Sequence, residues 1–388
     1  MRFSRRTPWD LSPNPLSKAL EGISNDSLLD LTESNPTQCG FTYPPNLLEG
    51  LASPAGLKYE PFAFGHPEAR RAVAGYFKTK GEEIPPENIL LAASTSEAYS
   101  YLFKLLADPG DSFLVPSPGY PLLDHLISLE GANLIPYSLQ AQPGWPLLLE
   151  SINPGENSTI KGLVTVNPHN PTGSILSPAD LGKLGEICRQ RDWAYISDEV
   201  FADFVYPGET QLRAIPEGIL SFRLGGLSKS LGLPQLKLSW MVLSGPKNLL
   251  EECKERLELI ADTSLSVGTP VQLAMPELLS FAPIFQKQLL ERVLSNRAIL
   301  SQNLRDLTGV KLWPSQGGWY ALVQLLDPEV NAEDWVIQFL KKEKVLVQPG
   351  GLYDFEKGAF LVLSLLPQPE IFREGTDRLR KYWGAGRG

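Results

Sequence analysis

The sequence predicts an α/β protein with a mainly parallel sheet that helices cover on both faces. Short apolar runs of strand length recur along the chain, and segments with helical periodicity lie between several of them. Strands that alternate with helices are typical of βαβ units, in which parallel strands join one sheet. In such sheets the functional site lies beyond the carboxyl ends of the strands, so polar residues that follow strands carry the most weight.

The first two thirds of the chain supply this sheet and its helices. Helices are expected over residues 96–107 and 178–191, the second with Ser177 as N-cap and Pro178 at its first position. The strands are expected at residues 88–92, 112–115, 162–166, 193–197, 221–224 and 239–243.

After about residue 285 the pattern changes, and we predict a separate α+β unit. An amphipathic stretch at 284–307 leads to a Gly-Gly-Trp-Tyr segment at 317–320. A helix is expected at 332–342, and two strands at 345–347 and 360–365.

A chain of 388 residues and 42.8 kDa is long enough for more than one domain. We predict a large domain over residues 46–285. Residues 1–45 and 286–388 are expected to form a small domain, with an arm at the N-terminus.

Charge and composition exclude several classes of function. With 35 Lys+Arg against 44 Asp+Glu the net charge is −9, which argues against nucleic acid or an anionic membrane as partner. The three cysteines lie far apart without CxxC spacing, and only three histidines are present, so we expect no disulfide framework and no metal centre. No apolar run approaches the ~20 residues of a membrane span, and the start lacks the apolar region of a secretory signal. We therefore expect a cytoplasmic protein.

Three polar motifs follow consecutive predicted strands. They are Asn-Pro-His-Asn-Pro-Thr-Gly at 167–173, Ser-Asp-Glu-Val-Phe at 197–201 and Gly-Gly-Leu-Ser-Lys-Ser at 225–230. Each motif alone has an ordinary interpretation as a turn, a helix start or a loop. Together they bring an amide, a carboxylate and a lysine to one edge of the sheet, because each spacing fits one βα unit.

These three groups suit an aromatic aldehyde cofactor. A lysine amine forms a Schiff base with an aldehyde, and a carboxylate facing a pyridine nitrogen keeps the ring an electron sink. The motifs, in this order, resemble the fold type I pyridoxal-phosphate enzymes, specifically class I/II aminotransferases similar to aspartate aminotransferase. The resemblance covers nearly the whole chain. It implies the cofactor pyridoxal 5′-phosphate and a homodimer with active sites at the subunit interface.

The resemblance also implies a role for each matching residue. Lys229 would form the Schiff base and carry the proton during catalysis, Asp198 would pair with the pyridine nitrogen, and Asn170 with the phenolate oxygen. Tyr120 matches the aromatic residue that stacks on the pyridine ring, although a core position is the ordinary alternative for a tyrosine. The phosphate would be bound by the turn before the helix at 96–107 and by further side chains, namely Ser94, Thr95, Ser96, Ser228, Lys237 and Tyr59, the last from the partner subunit.

Two departures from the family affect the cofactor. Phe201 stands where the family usually has a tyrosine that donates to the phenolate. With one donor fewer the pKa of the Schiff base should be raised, unless Tyr195 or Tyr206 supplies the hydroxyl. Lys237 stands where an arginine usually binds the phosphate in a fork, so phosphate binding is expected to survive with lost bidentate geometry.

A third departure affects the substrate. Val362 occupies the place of the arginine that clamps the substrate carboxylate. Either the substrate has no carboxylate there, which its apolar neighbours Phe360, Leu352 and Trp319 would favour, or another cation binds it. Candidates for that cation are Arg213 and Lys311.

The function predicted from the sequence is transfer of an amino group between an amino donor and a carbonyl acceptor. A lyase or decarboxylase on the same scaffold is the alternative, because the carboxylate clamp normally decides which bond is broken. A non-catalytic protein that binds the cofactor is a further alternative.

Overall fold

The computed structural model describes residues 3–24, 27–152, 159–210 and 215–385. Its central feature is a seven-stranded sheet with strand order β2-β8-β7-β6-β5-β3-β4. The strands of the chain are β1 (Leu29–Asp30), β2 (Ile89–Ala92), β3 (Ser112–Ser117), β4 (Asn133–Ser138), β5 (Ile160–Val166), β6 (Ala194–Asp198), β7 (Ser221–Gly226), β8 (Ser239–Ser244), β9 (Val310–Leu312), β10 (Tyr320–Leu325), β11 (Val345–Leu346), β12 (Gln348–Pro349) and β13 (Ala359–Ser364).

The helices cover this sheet and the later strands. They are α1 (Pro15–Leu20), α2 (Pro67–Lys78), α3 (Thr95–Leu106), α4 (Leu122–Leu129), α5 (Pro178–Arg191), α6 (Leu227–Ser230), α7 (Lys247–Ser264), α8 (Thr269–Leu273), α9 (Met275–Ser280), α10 (Ala282–Leu304), α11 (Ala332–Glu343) and α12 (Pro369–Ala385). Ser177 caps α5 as expected, accepting from the backbone N–H of Asp180 at 3.0 Å.

The predicted α/β class is confirmed. Strands β4, β3, β5, β6 and β7 run parallel to one another, and β8 runs antiparallel to both β7 and β2. Every residue of β2, β6 and β7 is buried, as expected for strands between two layers of helices. The sequence pattern missed β4, because most of its residues are at least partly exposed at the edge of the sheet.

A second sheet lies in the C-terminal part of the chain. It has four antiparallel strands in the order β12-β13-β10-β9, with α10 and α12 packed against each other nearby. Leu29 of β1 pairs with Val345 of β11, so a segment near the N-terminus joins this part of the molecule. The domain limits near residues 46 and 285 stay a prediction.

Two further observations bear on the expectations from composition. Cys39, Cys188 and Cys253 are all buried free thiols. Among the described residues, no helix is long and apolar enough to cross a membrane.

Candidate active site

The carboxyl edge of the central sheet brings the predicted site residues together. Tyr120 follows β3, Asn170 follows β5, Asp198 is the last residue of β6, and Lys229 lies in α6 directly after β7. Because these strands are neighbours and run parallel, their ends meet at one edge. The topology therefore produces the constellation that the spacing of the motifs predicts.

Asp198 is buried, and its carboxylate is bound on both oxygens. One oxygen accepts from the hydroxyl of Tyr99 at 3.1 Å and the other from the backbone N–H of Val200 at 3.2 Å. Burial raises the pKa of Asp198 to about 6, and these two hydrogen bonds and the Lys229 charge only partly oppose it. A cationic group facing this carboxylate would lower its pKa again, which is what a protonated pyridine nitrogen offers.

Lys229 lies between aromatic side chains rather than beside a carboxylate. Its Nζ is 4.9 Å from the ring centre of Trp319 and 5.7 Å from that of Phe201. Burial lowers the pKa of Lys229, with the negative charge of Asp198 acting in the opposite direction. A lysine amine with a lowered pKa is the usual form of a Schiff-base nucleophile.

Asn170 contributes a buried amide with hydrogen-bonding capacity to spare. Its Oδ1 has no hydrogen-bond partner among the described residues. The neighbouring His169 is also buried, pairs through Nδ1 with Thr172 Oγ1 at 2.9 Å, and has its pKa lowered by burial to about 3. His169 is therefore a neutral residue of the turn. The Oδ1 of Asn170 can only accept a hydrogen bond, whereas the Nδ2 of the same amide is the group that could donate to a ligand oxygen.

The phosphate end of the predicted site is the start of α3. Ser94 caps this helix, accepting from the N–H of Glu97 at 3.1 Å, while Glu97 accepts from the N–H of Ala93 at 2.6 Å. These two hydrogen bonds fix the turn and leave the N–H groups of Thr95 and Ser96 at the helix start, where dianions bind.

Lys237 and Ser228 reach the same edge from the segment after β7. Lys237 is exposed, with φ of 50°, two residues before Ser239. Because Ser239 pairs with Ala92 at the end of β2, the lysine and the Ser94 turn lie at neighbouring strand ends. Ser228 lies in α6, directly before Lys229.

Tyr59 lies in the segment before α2, and its predicted role across an interface stays a prediction. Its side chain is 68% exposed, and the nearby Leu57 is 91% exposed. The segment 263–266 at the end of α7 contains a further exposed apolar residue, Leu265.

Val362 is fully buried in β13. It pairs with Leu322 and belongs to an aromatic cluster with Trp145, Trp313, Tyr353 and Phe360. The side chains that cluster with Val362 are thus mainly aromatic. Of its three predicted apolar neighbours, only Phe360 belongs to this cluster. Trp319 belongs to another cluster, and Leu352 is 40% exposed and lines a surface groove.

Lys311 and Arg213 are the two cations that could replace the arginine expected to bind the substrate carboxylate. Lys311 lies two strands from Val362 in the second sheet, and its Nζ is held 3.4 Å from the ring centre of Trp313. Arg213 lies outside the described residues.

The donor set fits one class of protein. A lysine, a buried carboxylate and a buried amide at the carboxyl edge of a mainly parallel sheet, with a helix start for a phosphate, define a fold type I pyridoxal-phosphate site. A family model described as aminotransferase class I and II matches residues 48–365 of this chain. The chain belongs to that family, is an aminotransferase, and has pyridoxal 5′-phosphate as its cofactor.

Individual relatives agree with this assignment. A glutamate-pyruvate aminotransferase AlaA from Haemophilus influenzae is 26% identical over 371 residues, which cover 92% of this chain and 91% of the relative. The solved alanine aminotransferase from Pyrococcus furiosus is 26% identical with a TM-score of 0.87, covering 99% of this chain and all of the other. An aspartate aminotransferase mutant from Thermus thermophilus is 24% identical with a TM-score of 0.83, covering 98% and 100%, and supports the fold alone.

The structure also reveals a residue that the sequence did not single out. Tyr99 lies one turn after Thr95 on α3 and hydrogen-bonds the carboxylate of Asp198. Residues four apart on a helix lie on the same face, so the spacing of Tyr99 from Thr95 could have indicated that Tyr99 faces the site. Trp319, which the sequence placed only among apolar neighbours, lies directly against the Lys229 amine.

Proposed function

We propose that this aminotransferase holds its cofactor through a Schiff base on Lys229 and transfers amino groups from a donor that has no carboxylate at the usual clamp position. The single observation that carries the first part is the shared edge on which the Lys229 amine, the buried Asp198 carboxylate and the buried Asn170 amide meet. When bound there, the cofactor supplies an electron sink for the bond broken at the substrate carbon.

The chain's own residues would divide the remaining tasks. Asp198 would hold a proton on the pyridine nitrogen by charge, and Asn170 would bind the phenolate oxygen. Tyr120 would cover one face of the ring. Its place directly after β3, at the same edge as Asp198, supports this role. The start of α3, Ser228 and Lys237 would bind the phosphate.

Lys229 would also act as the proton carrier. An amine whose pKa is lowered by burial is available in its neutral form at a lower pH than an ordinary lysine. With its Nζ free, Lys229 would take a proton from the substrate carbon, hold it on Nζ and return it on the cofactor side. The aromatic walls, Trp319 and Phe201, keep this amine in place and exclude water.

The substrate proposal rests on the second sheet. A guanidinium–carboxylate fork is a strong, geometrically specific contact, and here Val362 and its aromatic neighbours take its place. An amine with an apolar body matches such a wall. Two of the relatives are named alanine aminotransferases, which would instead favour a small α-amino acid as the donor. An experiment that compares amines with α-amino acids decides between the two donor classes.

The test is a half-reaction without any acceptor. The purified yellow protein is mixed with a panel of α-amino acids and carboxylate-free amines, and the loss of the Schiff-base absorbance is followed in a single turnover. We expect conversion by amines, and none in Lys229→Ala, which serves as the control. Efficient conversion by α-amino acids would show that another group binds the carboxylate. No conversion by either class would contradict amino transfer itself.

We further propose that the protein is a cytoplasmic homodimer. The exposed apolar residues Leu57, Tyr59 and Leu265 support an interface. Tyr59 is the residue that the family resemblance places across the subunit boundary, and Leu57 lies two residues before it. The free, buried cysteines are in keeping with a reducing compartment.

A further inference from the structure

The residue that follows the pyridine-pairing carboxylate by three positions has no hydroxyl. Phe201 is 3% exposed and packs edge-on against Trp319, with ring centres 5.3 Å apart and planes at 73°. A cofactor phenolate near the Schiff base would therefore meet a hydrocarbon edge where the family resemblance implies a donor. The amide of Asn170 alone would remain to bind that oxygen.

Three tyrosine hydroxyls in this part of the molecule already have partners. The hydroxyl of Tyr195 pairs with Thr165 Oγ1 at 2.8 Å. That of Tyr206 donates to the carbonyl of Gly318 at 3.2 Å. The third, on Tyr99, donates to Asp198 at 3.1 Å. Each of these groups would have to abandon a buried partner to bind the cofactor, which costs free energy.

Trp319 carries the unused donor. Its side chain is fully buried, its Nε1 has no hydrogen-bond partner among the described residues, and its ring centre lies 4.9 Å from Nζ of Lys229. Buried donors are nearly always paired, so an unpaired one beside a ligand site indicates a ligand atom as its partner. The indole N–H is a donor only, and it matches an anionic acceptor.

The backbone around Trp319 is held in place by both parts of the molecule. Its carbonyl accepts from the N–H of Leu365 at 2.7 Å, and the N–H of Gly318 donates to the carbonyl of Phe204 at 2.9 Å. The ring also packs against Phe204, with centres 5.1 Å apart. A donor fixed in this way needs little reorganisation when the ligand binds.

We propose that the indole N–H of Trp319 donates a hydrogen bond to the phenolate oxygen of the bound cofactor, in place of the hydroxyl that Phe201 lacks. The inference rests on the proposed Schiff base at Lys229, since that linkage brings the phenolate close to Nζ. Trp319 thereby stabilises the deprotonated phenolate and limits how tightly the Schiff-base proton is held. It tunes the cofactor and takes no proton itself, because an indole does not titrate in the relevant range.

The first test is the pH dependence of the absorbance of the holoenzyme. A hydrogen bond to a charged group corresponds to about one to two pH units in the midpoint of this titration. We expect Trp319→Phe to raise the midpoint by that amount, and Phe201→Tyr in the same chain to lower it again. Trp383→Phe is the matched control, because its indole donates to the carbonyl of Thr308 at 3.0 Å in another part of the molecule. An unchanged midpoint in Trp319→Phe would overturn the proposal.

A second measurement does not depend on any variant being well folded. The chain has eight tryptophans, so the wild-type protein labelled with ¹⁵N gives a small set of indole N–H resonances. One resonance should move downfield when the apoprotein takes up the cofactor, and should stay in place with the 3-deoxy analogue, which has no phenol. Equal shifts with both compounds would contradict the proposal.

The Schiff base on Lys229 and the hydrogen bond from Trp319 can be tested separately. Borohydride reduction of the holoenzyme followed by peptide mass analysis reports the Schiff base on Lys229 alone. An adduct at Lys229 without an effect of Trp319→Phe overturns only the role of Trp319. Absence of the adduct overturns the Schiff base, and the role of Trp319 with it.

Discussion

The buried carboxylate of Asp198 is unfavourable for the stability of the apoprotein and favourable for binding a cationic ligand. The carboxylate is buried at the end of β6, and burial outweighs its two hydrogen bonds, so its pKa is raised to about 6 from the ordinary 3.8. The positive charge of a pyridinium ring would compensate that desolvation. The residue thus contributes affinity for the cofactor at the expense of the stability of the apoprotein.

This leads to a prediction on stability and pH. Because the folded state binds the Asp198 proton more tightly than the unfolded state, the stability of the apoprotein falls as pH rises from about 4 to 6. Above that window the penalty is complete, at most about 3 kcal/mol. We expect Asp198→Asn to stabilise the apoprotein by roughly 1–3 kcal/mol at pH 8. The gain should vanish near pH 4, as measured by urea unfolding.

Asp203 is the control, because its pKa is shifted in the direction opposite to that of Asp198. Burial acts to raise its pKa, but the Lys80 ammonium and the Tyr76 hydroxyl outweigh burial and hold the pKa below its ordinary value. Asp203→Asn should therefore destabilise the apoprotein at pH 8. If both substitutions change stability in the same direction, desolvation does not dominate at Asp198.

At the scale of elements, the pairing of β6 with β7 places a buried arginine beside the site. Arg223 of β7 is 2% exposed and forks onto Glu199, with Nε–Oε1 at 3.0 Å and Nη2–Oε2 at 2.8 Å. It also binds Glu82 from beyond α2. Glu199 directly follows Asp198, and its charge would raise the pKa of Asp198 further without this partner.

Removal of this arginine should be costly for the whole sheet. We expect Arg223→Gln to lower the free energy of unfolding by about 3–5 kcal/mol, because a buried guanidinium and its ion pairs with two partly buried carboxylates are lost. Arg256→Gln is the matched control: Arg256 binds Glu252 at 2.6 Å on the exposed face of α7 and should contribute at most about 1 kcal/mol. Equal losses in both variants would mean that burial adds nothing to the pair at Arg223.

At the scale of the whole molecule, the exposed residues of the proposed interface make the oligomeric state testable. We expect a species of two 42.8 kDa chains in sedimentation experiments. A chain with Leu57→Lys and Leu265→Lys should sediment as a monomer and lose its cofactor more readily on dialysis. Leu326→Lys, at a 51% exposed leucine after β10, is the control and should stay dimeric. Wild-type protein that sediments as a monomer would contradict the proposal.

The site could be predicted from the sequence only where it depends on local order along the chain. Asn170, Asp198 and Lys229 follow strands that share one edge, so strand prediction was enough to bring them together. The contact between Trp319 and Lys229 joins distant segments, and no spacing rule reaches across them. The individual roles of these residues stay predictions.

The fold, like the site, could be predicted where it depends on local sequence pattern and not where it depends on tertiary packing. The buried strands of the central sheet were predicted to within a few residues, because continuous apolar runs mark strands that are covered on both faces. Strand β4 was missed, since an edge position removes that signal. The burial of Val362 among Trp145, Trp313 and Phe360 depends on tertiary packing, which composition does not record.

The pairing of Leu29 with Val345, together with the contact of Trp319 with Lys229, has a consequence for biosynthesis. On the ribosome the strands of the central sheet emerge long before the segment from Gly317 onward. The nascent chain can therefore fold most of its sheet while one wall of the lysine pocket is still untranslated. Closing contacts between such distant parts is slow relative to local folding. Capture of the vitamin-derived cofactor in its final geometry is thus a late event, after translation has passed β11.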